Sequence, residues 1–301
     1  MHTHPREEGE APEHALCTVP FLKWPGGKRR LAAQLLSLLP ATEGRFIEPF
    51  VGAGALFAQS SYTGYLLSDA NKDLCNLYSV LRDRPSELLE LCEPLFHKGS
   101  GPGKEYYERR DRFNELELNT ERAALFIYLN HFGFNGLCRY NAAGRFNVPA
   151  GRRNAEPSVP KDTMLTWSRK LKLAQILCGD FATALSMAKV GDVVFCDPPY
   201  AANRECFTEY AGPGFGWDDH CRLAECARVL AASGIPVLIT NHDLPKTRAL
   251  YEGATIVPLQ VRRSISAAPS ARGRASEIAA LFAGRRADSI RAAANRTALA
   301  G

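Results

Sequence analysis

Residues 193–200 read VVFCDPPY, from Val193 to Tyr200. Four apolar residues run straight into an acid, two prolines and an aromatic ring. The run is short and rich in β-formers, so it predicts a buried strand. Proline has no N–H to offer a sheet, so the strand must stop at Asp197. A carboxylate then sits at a strand's carboxyl end, on a stiff turn, with Tyr200 just beyond. In open α/β sheets that edge is where ligands bind.

The same arrangement recurs upstream. RFIEPFVGAGALF (45–57) predicts a strand, a tight glycine turn and a helix. Gly52 and Gly54 let backbone approach a ligand closely. The pattern is G-x-G-x-x-F, so the dinucleotide fingerprint is incomplete. GYLLSDAN (64–71) predicts a second strand ending at Asp69, seventeen residues after Gly52. An acid there commonly holds ribose hydroxyls, which points to a nucleoside-bearing cofactor without choosing one. A helix N-cap is the structural alternative for Asp69. The GGK at 26–28 is not a phosphate loop: Leu22 stands where that loop needs Gly, and Arg29 where it needs Ser or Thr.

Downstream, DTMLTWSRKLKLA reads as a helix and AQILCGDF as a strand ending at Asp180. FATALSMAK is helical, and Asp218 opens the helix DDHCRLAECARVLAAS. IPVLITNHD is a strand with polar residues at its exit, and TIVPLQVRRSIS and SEIAALFA close the chain as a pair of strands. The glycine-rich, aromatic stretch AANRECFTEYAGPGFGW reads as a loop that folds over a site.

Between residues 72 and 160 the α/β alternation lapses into four helical stretches. Then comes GFNGLCRYNAAGRFNVPAGRR (133–153), with four Gly, three Asn and four Arg among aromatic residues. Gly and Asn make turns. Arg and Asn read guanine and adenine edges bidentately, and aromatic rings wedge between bases. This stretch is therefore a candidate DNA contact.

Bulk composition agrees. The chain has 301 residues, 46% of them hydrophobic, with a net charge of +5. The basic excess is localised: residues 98–178 carry 14 Lys/Arg against 8 Asp/Glu, and residues 261–301 carry 8 Arg against 2 acids. Such blocks suit a polyanionic partner. The nine cysteines are odd in number and form no C-x-x-C pair, which predicts free thiols in a reducing cytoplasm. Neither cysteines nor histidines show metal-ligand spacing, and no apolar stretch reaches membrane-spanning length. The expectation is a soluble, cytoplasmic, monomeric protein with no metal.

Taken together, FLKWPGGK, EPFVGAGALF, LSDAN, YLNHFGFNGLCRYN, GRFNVPAGR, CDPPY, IPVLITNHD and VRRSIS occur in the order found in one family. Over about residues 21–282 the chain resembles the Dam-type DNA adenine-N6 methyltransferases of the D12 class. The resemblance implies an α/β, Rossmann-like, S-adenosylmethionine-dependent methyltransferase sheet with an inserted, mainly helical target-recognition domain. The expected layout is a disordered acidic tail over 1–18 and a first catalytic part over 19–71. A target-recognition domain follows over 72–160, then a second catalytic part over 161–283 and an Arg/Ala-rich tail over 284–301.

The resemblance implies cofactor contacts from Trp24, Lys28, Asp69 and Asp197, with Phe50, Gly52 and Gly54 around the methionine end. Asp180 joins that set from the end of its strand. The catalytic motif falls at Asp197, Pro198, Pro199 and Tyr200. Lys23, Phe134, Asn135, Leu137, Arg139 and Pro149 are expected to face target bases, and Asn141, Asn147 and Arg152 to grip the backbone. The implied target is adenine in double-stranded GATC, reached by base flipping. Phe134 departs from the family, which often carries Tyr there, and Pro25 replaces a smaller residue.

The chemistry fits the residues. The lone pair of an aromatic amine is delocalised into its ring. A carboxylate and a backbone carbonyl accepting its two N–H bonds favour a more pyramidal, more reactive nitrogen, and Asp197 with the Pro198 carbonyl are placed to do so. Tyr200 would stack on an extruded base. Three alternatives stand beside this reading: N4-cytosine transfer, which poses the same amine problem, a DNA-binding module without activity, and a nicotinamide dehydrogenase. The missing third glycine and the D-P-P-Y run weigh against the last.

Overall fold

A computed structural model describes residues 18–97, 103–152, 157–201, 214–261 and 275–283. The expected N- and C-terminal tails, most of the loop after Tyr200 and most of VRRSIS lie outside them.

The elements run α1 (Ala32–Leu38), β1 (Phe46–Glu48), α2 (Ala55–Gln59), β2 (Tyr65–Asp69), α3 (Lys72–Asp83), α4 (Pro85–Cys92), α5 (Lys104–Glu115), α6 (Thr120–Phe132), α7 (Lys161–Leu171), β3 (Ala174–Cys178), α8 (Phe181–Ser186), β4 (Val193–Cys196), α9 (Trp217–Ala232), β5 (Val237–His242), α10 (Pro245–Leu250), β6 (Thr255–Val261) and β7 (Ala275–Phe282). The seven strands form one sheet in the order β3-β2-β1-β4-β5-β7-β6. The first five are parallel, and β7 runs antiparallel between β5 and β6. This is the Rossmann-like α/β sheet expected from the sequence. Pro258 falls in β6, on the edge of the sheet, where a missing N–H is tolerated.

The central strands are buried on both faces, which is why they read as continuous apolar runs. Side chains alternate between two cores. Phe46, Leu67, Val193 and Phe195 face one core, shared with α1, α2, α3, α7 and the inserted helices. Ile47, Leu66, Val194 and Cys196 face the other, beneath α8 and α9.

The helices α3–α6 and the loop after them all lie between β2 and β3, inside a single parallel crossover. Asn71 caps α3, its side chain accepting from the N–H groups of Asp73 and Leu74. Twelve residues of α6 are buried, so this helix is the axle of the insertion.

Two boundaries and one element differ from the sequence reading. The third strand ends at Cys178, and Asp180 caps α8 instead of closing the strand. Helix α9 opens at Trp217, one residue early, because Gly216 serves as its cap and Asp219 reaches back to the Gly216 N–H at 2.9 Å. The short helix α10 has no strong apolar period and escaped the sequence reading.

Candidate active site

The strand order reverses between β1 and β4, and the ligand-binding crevice of an open α/β sheet lies at such a switch. Here the carboxyl ends of β1, β2, β4 and β5 surround a cavity of about 1090 Å³. The residues assigned to cofactor and catalysis all line it: Trp24, Lys28, Phe50, Gly52, Gly54, Asp69, Asp180, Asp197, Pro198 and Tyr200.

The glycine turn is shaped by its neighbours. Gly52 has φ +46, and a Cβ there would stand 2.9 Å from the Trp24 indole nitrogen. Gly54 has φ +62, and a Cβ would stand 2.6 Å from the Trp167 ring. Both positions need the left-handed backbone and the missing side chain. The Asp69 carboxylate binds the turn, with Oδ2 accepting from Gly52 N–H at 3.0 Å and Oδ1 from Asn71 N–H at 2.9 Å. Tyr78 donates to the Gly52 carbonyl at 2.6 Å. Burial raises the Asp69 pKa, while the backbone donors from Asn71 and Gly52 hold it down.

Asp197 lies across the cavity. Its Oδ1 accepts from Thr240 Oγ1 at 2.5 Å and pairs with Lys28 Nζ at 3.0 Å. Both contacts fall on Oδ1, which leaves Oδ2 to accept from a substrate N–H. Lys28 is only 7% exposed, is tethered to the Gly26 carbonyl at 2.7 Å, and lies 4.6 Å over the Tyr200 ring. The Tyr200 hydroxyl donates to Glu277 Oε2 at 2.9 Å, and its ring meets His242 edge-on at 4.9 Å. Burial and the nearby Asp197 and Glu277 charges raise the Tyr200 pKa well above the ordinary phenol range, so it remains a donor.

Several of these partners were invisible in the sequence. Glu48 at the end of β1 is 2% exposed, and burial lifts its pKa from 4.5 to about 8. Asn241 accepts from Ala201 N–H at 3.0 Å and pins the chain just after the D-P-P-Y turn. The polar exit of IPVLITNHD was the only signal for Thr240, Asn241 and His242.

The residues assigned to DNA lie outside the cavity, around the loop that follows α6. A hairpin forms there, with bridges at Gly133–Ala150 and Tyr140–Phe146. Phe134, beside the Gly133–Ala150 bridge at the hairpin's open end, is 47% exposed. Asn135 beside it has φ +53, the only positive φ outside glycine among the described residues. Pro149 accepts from Phe134 N–H at 2.9 Å, Arg152 is exposed and Leu137 is half-buried. Arg139 is exposed but held, donating from Nε to Asn147 Oδ1 at 2.8 Å. Asn147 thus aims Arg139, and Asn141 accepts from the N–H groups of Ala143 and Arg145 to close the turn. Asn130, missed in the sequence, bonds both N–H and C=O of Lys23, at 2.9 and 2.7 Å. It fastens the N-terminal loop to the hairpin.

A family model for D12 class N6 adenine-specific DNA methyltransferases matches residues 24–265. The chain belongs to that family. Its substrate is therefore DNA, and its reaction is methylation of adenine at N6. The DNA adenine methylase of Haemophilus influenzae is 40% identical over 271 residues, covering 89% of this chain and 94% of the relative. Those of Escherichia coli K12 and Vibrio cholerae are 39% and 38% identical, each over 87% of this chain and 94% or 95% of the relative. The X-ray structure of precorrin 8W decarboxylase from Methanobacterium thermoautotrophicum aligns at 12% identity and a TM-score of 0.35, over 87% of this chain and 93% of that one. The family match answers the cytosine and dehydrogenase alternatives. Among the described residues no helix is long and apolar enough to cross a membrane.

Proposed function

We propose that this methyltransferase takes its methyl group from S-adenosylmethionine and delivers it to the adenine of GATC in double-stranded DNA, after extruding that base. The observation that carries the reading is one cavity shared by the Gly52–Gly54 turn, Asp69, Asp197 and Tyr200. Its volume stands at the upper end of the range usual for ligand pockets, about 300–1,000 Å³, as suits a cofactor with a nucleobase beside it.

The residues present fit that cofactor. The close backbone of Gly52 leaves room where a Cβ would collide with Trp24, and Asp69 stands at the end of β2, the place of a ribose acceptor. When bound, the cofactor supplies a methyl group already activated on a sulfonium. The chain has to orient the amine. Asp197 Oδ2 and the Pro198 carbonyl accept the two N6–H bonds, while Thr240 and Lys28 immobilise the carboxylate from its other oxygen. Tyr200 stacks on the base, its plane set by Glu277 and His242.

In this reading residues 72–160 form the target-recognition domain, and 19–71 with 161–283 form the catalytic domain. Phe134 fills the gap left by the base, and Arg139 reads a guanine through O6 and N7. Lys23, Asn135, Leu137 and Pro149 complete the face toward the bases, and Arg152 meets the backbone.

The test is incubation with labelled S-adenosylmethionine and duplexes carrying GATC or single-pair variants, followed by nucleoside analysis. N6-methyladenine confined to GATC is expected. Asp197→Ala should abolish transfer and leave duplex binding largely intact; near wild-type transfer by that variant would sink the assignment.

A further inference from the structure

The recognition hairpin does not merely neighbour the cofactor end of the cavity. It is bonded to it. Tyr140, the residue after Arg139, donates its hydroxyl to Asp73 Oδ2 at 2.6 Å and lies 3.5 Å from Asn71 Oδ1. Asn71 donates to Cys138 Sγ, on the other side of Arg139, at 3.2 Å. The two residues flanking the proposed guanine reader are thus both fastened to the first turn of α3.

That turn is also the cavity rim. Asn71 N–H bonds Asp69, and Asp69 in turn holds the Gly52 N–H. Asp69, Asn71, Asp73 and Tyr140 all line the same cavity. A ligand resting on Asp69 therefore touches a chain of two hydrogen bonds, through Asn71, that ends at the residues flanking Arg139.

The acceptor end of this chain is rigid. Asp73 is 1% exposed and takes Arg122 with both oxygens, at 2.5 and 3.1 Å. Arg122 is itself fixed by the carbonyls of Phe113 and Leu116. A buried carboxylate held this way has little freedom to follow the hairpin, so the hairpin follows it. Burial raises the Tyr140 pKa far above neutrality, so its hydroxyl is a permanent donor. Its ring packs edge-on against Phe146 at 5.7 Å, and that contact does not need the hydroxyl.

We infer that Tyr140 is a positioning residue that sets Arg139 by its hydroxyl's bonds to Asp73 and Asn71, and that through Asn71, which also bonds Asp69, cofactor occupancy and target recognition strengthen one another. The inference rests on the proposed placing of cofactor at Asp69 and of guanine at Arg139. Coupling between two ligands is reciprocal, so either ligand reports it.

The test variant is Tyr140→Phe, which keeps the ring and its packing and removes only the hydroxyl's bonds to Asp73 and Asn71. Calorimetry gives the dissociation constant of a non-transferring S-adenosylmethionine analogue for wild type and variant, with and without a GATC duplex. In wild type the duplex should tighten the analogue by a factor in the usual range for coupled sites, about 5- to 150-fold. In the variant that factor should collapse by about tenfold or to near unity, as for the loss of a hydrogen bond to a charged acceptor. The preference for GATC over a duplex with one outer guanine replaced should fall with it. A structural loosening alone would weaken all duplexes alike and leave that ratio unchanged.

Undiminished coupling and preference in Tyr140→Phe, or no coupling in wild type, would overturn the inference and leave the proposed function standing. Failure of wild type to bind the analogue or to prefer GATC would instead overturn the proposed function, and the inference with it.

Discussion

Replacing Glu48 by Gln should abolish a pH dependence of stability that the fold itself creates. Glu48 closes β1, is 2% exposed, and receives one backbone donor, Phe57 N–H at 3.0 Å. Burial is the largest cause of its rise from 4.5 to about 8; the Phe57 N–H opposes it, the Asp197 charge adds to it, and Lys170 opposes it more weakly. Between those two pKa values the folded chain holds one proton more than the unfolded chain. The stabilisation is therefore full below the unfolded value and is lost as pH rises toward the folded one. The slope is about 1.4 kcal/mol per pH unit, so going from about pH 5 to about pH 7.5 removes roughly 3 kcal/mol through this group alone.

Other acids titrate over the same range, so the quantity to follow is the difference between wild type and Glu48→Gln. Urea unfolding of both proteins across that range supplies it, by linear extrapolation. Wild type should lose about 3 kcal/mol relative to the variant, and the difference should level off above the folded pKa. A difference that is flat with pH would refute the reasoning, because Glu48 would then be ionised within the fold.

Two further outcomes follow from the geometry. Gly54→Ala forces an L residue to φ +62 and drives a methyl group into Trp167, and should cost about 2–5 kcal/mol, read as a lowered urea midpoint. Arg139→Ala should relax the choice of one outer guanine at a cost of about 1–3 kcal/mol, measured as the ratio of kcat/KM for GATC and a singly substituted duplex; an unchanged ratio would remove Arg139 from the readers.

The parts of the site that were legible in the sequence share one property: their signal is local. VVFC followed by two prolines places Asp197 at a strand end whatever the rest of the chain does, and GYLLSD does the same for Asp69. The glycines of VGAG announce their turn because no other residue adopts it at low cost. The stretch 133–153 stood out through its turn formers and its unusual charge, though not as a hairpin. Asp180 was misplaced because a strand end and a helix cap both favour an acid, and only the Ala182 N–H on its side chain separates them.

What the sequence alone determined, then, was the order of the strands, the chemical character of the residues at each strand end and the family to which they point. Tertiary structure alone decided the partners. Asn130 bonds Lys23 across 107 residues, and Tyr140 bonds Asp73 across 67. No periodicity encodes such pairs. Nor does composition state that burial raises the Glu48 pKa, since the dielectric around a carboxyl exists only once two layers of helix have closed over the sheet.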